Sequence, residues 1–359
     1  MTLRILMTLD AVGGVWRYGI DLAQALHALG HEIVLAGLGP PPSVAQRQEA
    51  EAIGTLTWGT APLDWMARSE SELRDVGPWL QALAARYRVD LMHLNLPSQA
   101  LGTAGSVPRV VVTHSCLATW FHTVACCPVP ERLAWQAGLT RMGLNTADVA
   151  IGPSRAHAAI TAEALGVTGL STVPNASSVC PRPHSQSVGQ IVAAARWWDE
   201  GKNGRVLDKA AGLMRQPVMM IGACTGPDGQ DFVAHHARVT GPLPHDQTQM
   251  HIGQAGVFVS PSRYEPFGLA ALEAARASRP LLLADIPVYR EIWEGAATFF
   301  DPLDAADLAA KADWLISDAA ACEEMGAAAM LRSLNFSTVR QARRMETLYH
   351  KALTRAAVA

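Results

Sequence analysis

Ser260-Pro-Ser-Arg-Tyr-Glu-Pro-Phe-Gly-Leu-Ala-Ala-Leu-Glu273 follows the apolar run Ala255-Gly-Val-Phe-Val259. The run reads as a buried strand, the Pro- and Gly-bearing stretch after it as a turn, and the segment from about Gly268 as a helix. Strand, short turn and helix in that order form the repeating unit of parallel α/β sheets. A helix that starts beside a glycine offers free backbone N–H groups and the positive end of its dipole, so Phe267, Gly268 and Leu269 are candidates to hold a phosphate. Two carboxylates frame that start. Glu265 precedes it and Glu273 lies roughly two helical turns later, about 80° around the axis, so both can face one ligand. Carboxylates accept hydrogen bonds from vicinal hydroxyls, which suits a ribose on one side of a diphosphate and a hexose on the other.

The same alternation extends through the chain. Arg4–Thr8, His31–Ala36, Asp90–Leu94, Arg109–Thr113 and Asp148–Ile151 read as strands, with helical patterns such as Trp16–Leu29 and Arg132–Asn145 between them. The Pro- and Ser-rich stretch Val173–Ser187 breaks the series and reads as a linker. Gln190–Ala194, Pro217–Ile221, Ala255–Val259 and Pro280–Ala284 then form a second strand series. The expected fold class is α/β, with two doubly wound Rossmann-like domains facing a cleft. Their expected bounds are residues 1–178 and 188–336, with a terminal helix over 337–359.

Composition narrows the function. At 359 residues the chain is long for one core and suits two domains. A net charge of −3 without a Lys/Arg cluster argues against nucleic acid as a partner. No apolar run approaches the length of a membrane span and no basic amphipathic helix is evident, so a cytoplasmic protein is expected, with peripheral membrane contact unsupported. Cys116, Cys126, Cys127, Cys180, Cys224 and Cys322 lack any Cys-x-x-Cys or zinc-like spacing; reduced, mostly buried thiols and no metal site are expected.

Three further segments carry chemistry. Asp10-Ala-Val-Gly-Gly-Val-Trp-Arg-Tyr-Gly19 places Gly13 and Gly14 between a strand and a helix, where glycine lets the backbone approach a ligand. It lacks the Gly-x-Gly-x-x-Gly and the following acid of a dinucleotide site. Ala193-Ala-Ala-Arg-Trp-Trp-Asp-Glu-Gly-Lys-Asn203 offers Arg196 and Lys202 after a strand, and Lys202 is the first of only four lysines. Two cations there can neutralise charge on a departing diphosphate. His114 ends the strand Val110-Val-Val-Thr-His114 at the carboxyl edge, where α/β sheets bind ligands. His93, one strand earlier, follows the same logic.

These segments resemble the GT-B glycosyltransferases of the retaining, GT4-like type (glycosyl transferases group 1), whose hallmark is Glu-x7-Glu within Ser-x-x-Glu-Pro-Phe-Gly-Leu. The resemblance implies a nucleotide-sugar donor, UDP- or GDP-linked, and an acceptor that is a saccharide, a lipid-linked saccharide or a small molecule. It places the donor in the second domain and has the last helix, about Val339–Ala356, cross back to the first. It further implies that Gly13 and Gly14 approach the diphosphate, that Arg196 and Lys202 clamp it without a metal or cofactor, and that His114 lies near the sugar's 6-position. Glu265, Phe267, Gly268, Leu269 and Glu273 complete the donor site, with Glu273 at the ribose. Ser154 and Asn175 match landmarks at the cleft edge. In such enzymes the donor phosphate itself is thought to act as base, so the catalytic set is Arg196, Lys202, Glu265 and His114 with no protein nucleophile. The chain departs at Ala195, at Trp197-Trp198, and at Glu273-Ala-Ala-Arg-Ala-Ser-Arg-Pro280, where relatives read Glu-Ala-Met-Ala-Cys-Gly-x-Pro. Asp285–Glu291 resembles a Pro-x-x-Arg-Glu variant, and the aromatic segment between Cys116 and Trp135 is a candidate acceptor loop. A nucleotide-sugar epimerase, a phosphorylase and a non-catalytic sugar-nucleotide-binding subunit are the alternatives.

Overall fold

This computed structural model describes residues 2–103, 107–183, 189–227 and 229–358. The chain divides into two compact units, one of residues 1–177 with 338–359 and one of residues 178–337. Residues 184–187 of the expected linker lie outside the described residues.

The first unit holds a seven-stranded sheet of β1 (Arg4–Asp10), β2 (Glu32–Leu38), β3 (Thr55–Trp58), β4 (Leu91–Leu94), β5 (Arg109–Val112), β6 (Val149–Gly152) and β7 (Ser171–Thr172). Every pairing is parallel and the order is β3-β2-β1-β4-β5-β6-β7. Both sheet faces are covered, and so the central strands are apolar at nearly every position. Along β1, Ile5, Met7 and Leu9 enter one core with Tyr18, Ile20 and Leu26 of the helix Gly14–Ala28 and with Ala342, Met345, Tyr349 and Ala352 of the terminal helix Thr338–Val358. Leu6 points the other way, into a core with Val34, Ala36 and Leu80, as the period-2 alternation of a strand requires.

The second unit repeats the plan with β8 (Ile191–Ala194), β9 (Val218–Ile221), β10 (Arg238–Gly241), β11 (Val257–Ser260), β12 (Leu281–Ala284) and β13 (Thr298–Phe300). They form a parallel sheet in the order β10-β9-β8-β11-β12-β13. In both sheets the strand order reverses between the first strand and the fourth, at β1/β4 and at β8/β11. That switch point, at the carboxyl ends of the strands, is where doubly wound sheets open a crevice for ligands.

Four strands are absent from the sequence expectation: β3, β7, β10 and β13. All four are sheet edges. They are half covered where the inner strands are buried, so Thr55-Leu-Thr-Trp58 or Arg238-Val-Thr-Gly241 never reads as a continuous apolar run. The helix expected over Arg132–Asn145 begins instead at Ala134, after a 3₁₀ turn over Glu131–Leu133. The thiols also differ from expectation: all six are free, but Cys126, Cys127 and Cys180 are exposed and the other three half-buried. The exposed three lie on loops outside any helix or strand, where an apolar environment is not on offer.

Candidate active site

Lys202 and Glu265, far apart in sequence, meet because two loops at the β8/β11 switch point are laced together. After β8 the chain makes a 3₁₀ turn, Glu200–Lys202, opened by Asp199, whose Oδ1 accepts from the Gly201 amide at 2.9 Å. The Gly201 carbonyl then accepts from the amides of Arg263 and Tyr264, in the loop after β11, at 2.9 and 3.2 Å. Asn203 closes the turn in the left-handed region, φ +57°, which asparagine tolerates better than most residues. Its Nδ2 donates to the carbonyls of Pro261 (3.0 Å) and Pro302 (2.8 Å). With both backbones fixed, Lys202 Nζ lies 2.7 Å from Glu265 Oε2, and the two side chains are only 14% and 16% exposed. A pair this sheltered is poorly screened by solvent and salt.

Arg196 is placed differently. Its guanidinium is 44% exposed, 3.6 Å from Asp199 and stacked 5.3 Å over the Trp198 ring. Among the described residues no recorded contact joins it to Lys202 or Glu265. Trp197, by contrast, is core: its indole N–H donates to the Ile221 carbonyl at 3.0 Å and its ring packs on Phe232.

The helix of the opening motif spans Leu269–Arg276, and Gly268 caps it without any side-chain hydrogen bond. Gly268 has φ +94°, and a Cβ there would meet the Tyr289 ring at 2.8 Å, so only glycine fits. Phe267 is buried edge-on against Phe336 at 5.5 Å, and Leu269, the first helical residue, is half-buried. The first-turn amides of such a helix have no partner within it and suit an anion. Tyr289 is buried with its hydroxyl on Ser260; burial and then the charge of Glu265 push its pKa well above the usual tyrosine value, so it stays a neutral hydrogen-bonding group.

Glu273 is 9% exposed. Its two oxygens face His245 Nε2 at 3.1 Å and Gln249 Nε2 at 2.5 Å, both from the helix His245–Gln254. Sequence reading missed this pair, whose only signal is its i,i+4 spacing on one helix face. The departures that follow Glu273 are structural. Arg276 donates to the carbonyls of Val179 and Phe336, and Arg279 to those of Ala255 and Ala277. Ser278, at the glycine position of the motif this segment resembles, stands at φ +54°, its hydroxyl donating to the Arg182 carbonyl. Arg290 of the Pro-x-x-Arg-Glu segment pairs with Asp285 and Glu294 and stacks on Phe299.

A second polar cluster lies at the β1/β4 switch point of the first unit. Gly13, φ +73°, is the uncapped N-cap of the helix that Gly14 begins. His114, half-buried just past β5, has Nε2 2.9 Å from Asn95 Oδ1 and lies edge-on to Tyr18 at 4.3 Å. Burial, reinforced by His93 and His157, lowers its pKa to about 3. His93 on β4 is fully buried, with Nδ1 2.8 Å from the Tyr349 hydroxyl and Nε2 3.3 Å from the same Asn95 oxygen. Burial lowers its pKa to about 4. Ser154 caps the helix Arg155–Leu165, accepting from the His157 amide. Asn175 is buried with Oδ1 unpartnered among the described residues. The aromatic segment forms a short helix, Leu117–Trp120, that runs into a π-turn over Phe121–Ala125, a local form common at functional sites.

Comparison with known proteins places this arrangement. The family model Glycosyltransferase Family 4 matches residues 12–177, and Glycosyl transferases group 1 matches residues 230–332. The chain belongs to the GT-B glycosyltransferases of the GT4 type. Among relatives of this glycosyltransferase, glycogen synthase of Mycobacterium tuberculosis (strain H37Rv) is 24% identical over 89% of this chain and 86% of its own. The D-inositol 3-phosphate glycosyltransferase of Arthrobacter sp. (strain FB24) is 31% identical over 42% of this chain and 40% of its own. In fold it is similar to sucrose-phosphate synthase from Thermosynechococcus elongatus (TM-score 0.77, 18% identity, 98% of this chain and 100% of that one). It is likewise similar to Anabaena HepE, solved in complex with UDP and glucose (TM-score 0.74, 16% identity, 97% and 100%). Among the described residues of this glycosyltransferase no helix is long and apolar enough to cross a membrane.

Proposed function

We propose that the protein is a retaining, metal-independent glycosyltransferase that moves a sugar from a nucleotide-sugar donor to an acceptor hydroxyl. The observation that carries this reading is the sheltered Lys202–Glu265 pair at the β8/β11 switch point, in a unit whose Gly268-capped helix offers its N-terminus to an anion. HepE, solved with UDP-glucose, and the glycogen synthase relative support a nucleotide-sugar donor.

In this reading the diphosphate lies against the Gly268 helix start, with Lys202 and the more exposed Arg196 facing its charge. Glu265 and Glu273 accept from sugar and ribose hydroxyls. The bond from the sugar's anomeric carbon to phosphate oxygen breaks while the acceptor oxygen bonds that carbon on the same face. The acceptor proton passes to the leaving phosphate oxygen, and a nucleoside diphosphate departs. Charge grows on that diphosphate toward the transition state, and fixed cations there lower the barrier without a metal.

The test is nucleoside diphosphate release across a panel of UDP- and GDP-sugars with saccharide acceptors, in excess EDTA, with the product anomer read by NMR. Release persisting in EDTA, with the donor's anomeric configuration kept, is expected. Inverted product, loss of release on chelation with recovery in magnesium, or epimerised sugar without release would each contradict the reading.

A further inference from the structure

The polar cluster at the β1/β4 switch point fixes more than the position of His114. Asn95 follows β4, and its amide orientation is dictated by its surroundings. Nδ2 lies 2.6 Å from the Thr8 carbonyl, which can only accept, and the Asn95 amide N–H donates to Thr8 Oγ1 at 2.8 Å. That hydroxyl in turn donates to Gln99 Oε1 at 2.6 Å. Asn95 is thus held at both backbone and side chain, with Oδ1 facing the histidines.

An amide oxygen only accepts. His114 Nε2 lies 2.9 Å from it, so that ring must carry its proton on Nε2; His93 Nε2 lies 3.3 Å from the same oxygen and 3.4 Å from the Tyr18 hydroxyl. On His93 the other nitrogen, Nδ1, lies 2.8 Å from the Tyr349 hydroxyl. On His114 the unprotonated Nδ1 has no recorded partner among the described residues. A neutral imidazole is fixed as one tautomer by what its other nitrogen binds.

We propose that Asn95 is a positioning residue that holds His114 as the Nε2–H tautomer and so makes His114 Nδ1 a hydrogen-bond acceptor for a ligand hydroxyl. The ligand part rests on the glycosyltransferase reading above. Its chemical content is selective: an acceptor nitrogen takes a sugar hydroxyl and repels a carboxylate or phosphate oxygen in the same place. The burial that lowers the His114 pKa keeps the ring neutral under working conditions, in agreement with the geometry.

The test uses the full chain labelled with ¹⁵N-histidine, without ligand, followed by long-range ¹H–¹⁵N NMR from pH 7.5 to 5.5, with His114 assigned from the spectrum of His114→Gln. His114 is expected as the Nε2–H tautomer, unchanged across that range. Asn95→Leu should release it into mixed or Nδ1–H tautomers. An Nδ1–H or protonated His114 in the unaltered protein overturns the proposal. So does a folded Asn95→Leu with the tautomer unmoved. Because no donor or acceptor is added, failure here leaves the transfer reading standing, and failure of the release assay leaves the tautomer result untouched.

Discussion

The two units share one strand order, 3-2-1-4-5-6 from edge to edge with one strand more in the first, yet their switch points carry opposite chemistry. At β8/β11 the groups are charged: a lysine against a glutamate, an arginine on a tryptophan face, and an uncapped helix start. At β1/β4 the buried Asp10 ends the first strand, but the ring groups are neutral: two histidines held off protonation by burial, both facing one amide oxygen, one of them also on a tyrosine hydroxyl. On the proposed function, one topology would supply two kinds of recognition: cations and a helix dipole would answer a diphosphate whose charge increases during reaction, whereas neutral rings would read hydroxyl groups whose charge does not change.

The largest expected effect tests the charged side. Lys202→Ala removes the sheltered cation and should lower kcat about 10² to 10³-fold at saturating donor, with a smaller effect on KM. Arg196→Ala should do less, since that guanidinium is already half solvated, and the double variant should deviate from additivity because both face one group. Near-normal kcat in a Lys202→Ala protein with intact circular dichroism would shift the burden to the Gly268 helix start.

Glu273 sharpens the comparison next. Glu273→Gln keeps its shape beside His245 and Gln249 and removes its charge; Glu273→Ala removes both. The alanine variant should weaken donor binding by about 2 to 3 kcal/mol if a charge-assisted hydrogen bond is lost, with the glutamine variant between it and the native protein. Unchanged affinity by calorimetry would make this carboxylate a strut for the helix His245–Gln254 alone.

Acid should separate the units by stability rather than by rate or affinity. The folded His93 pKa, about 4, lies below the ordinary 6.5, so the unfolded chain takes up the proton first. The stabilising contribution is complete above pH 6.5 and disappears as pH falls toward 4. Between pH 7 and pH 5 His93 alone should remove about 2 kcal/mol from the first unit, with His157, also lowered to about 4 by burial, adding to the loss. In the second unit, burial would raise Asp208, but the amides of Ala237, His235 and His236 outweigh it and hold it below 3.8; its loss therefore begins only in stronger acid. Urea midpoints at pH 7 and 5, with limited proteolysis to show which unit opens first, check this. Equal midpoints would contradict the burial of these histidines.

Much of this was legible in the sequence, and the limits have physical causes. Inner strands such as Leu281-Leu-Leu-Ala284 are buried on both faces and announce themselves as apolar runs, while edge strands such as Ser171-Thr172 do not. Gly268 and Glu265 were visible because a turn chemistry and a spacing coincide there. Asn203 and Asn95 were not, because each acts through hydrogen bonds to residues distant in sequence: Pro261 and Pro302 for one, Thr8 and His114 for the other. The departures Arg276, Ser278 and Arg279 also became intelligible only once the carbonyls they serve were in place.

Amide hydrogen exchange with a bound nucleoside diphosphate tests most directly the claim that the charged switch point holds the donor. UDP and GDP are each added to saturation, and exchange is read along the whole chain. Protection is expected at Phe267–Leu269 and the first turn of the following helix, and across the Asp199–Asn203 turn, with at least one of the two nucleotides. Protection confined to the β1/β4 end of the first unit, with those second-unit amides exchanging as in the free protein, would contradict it.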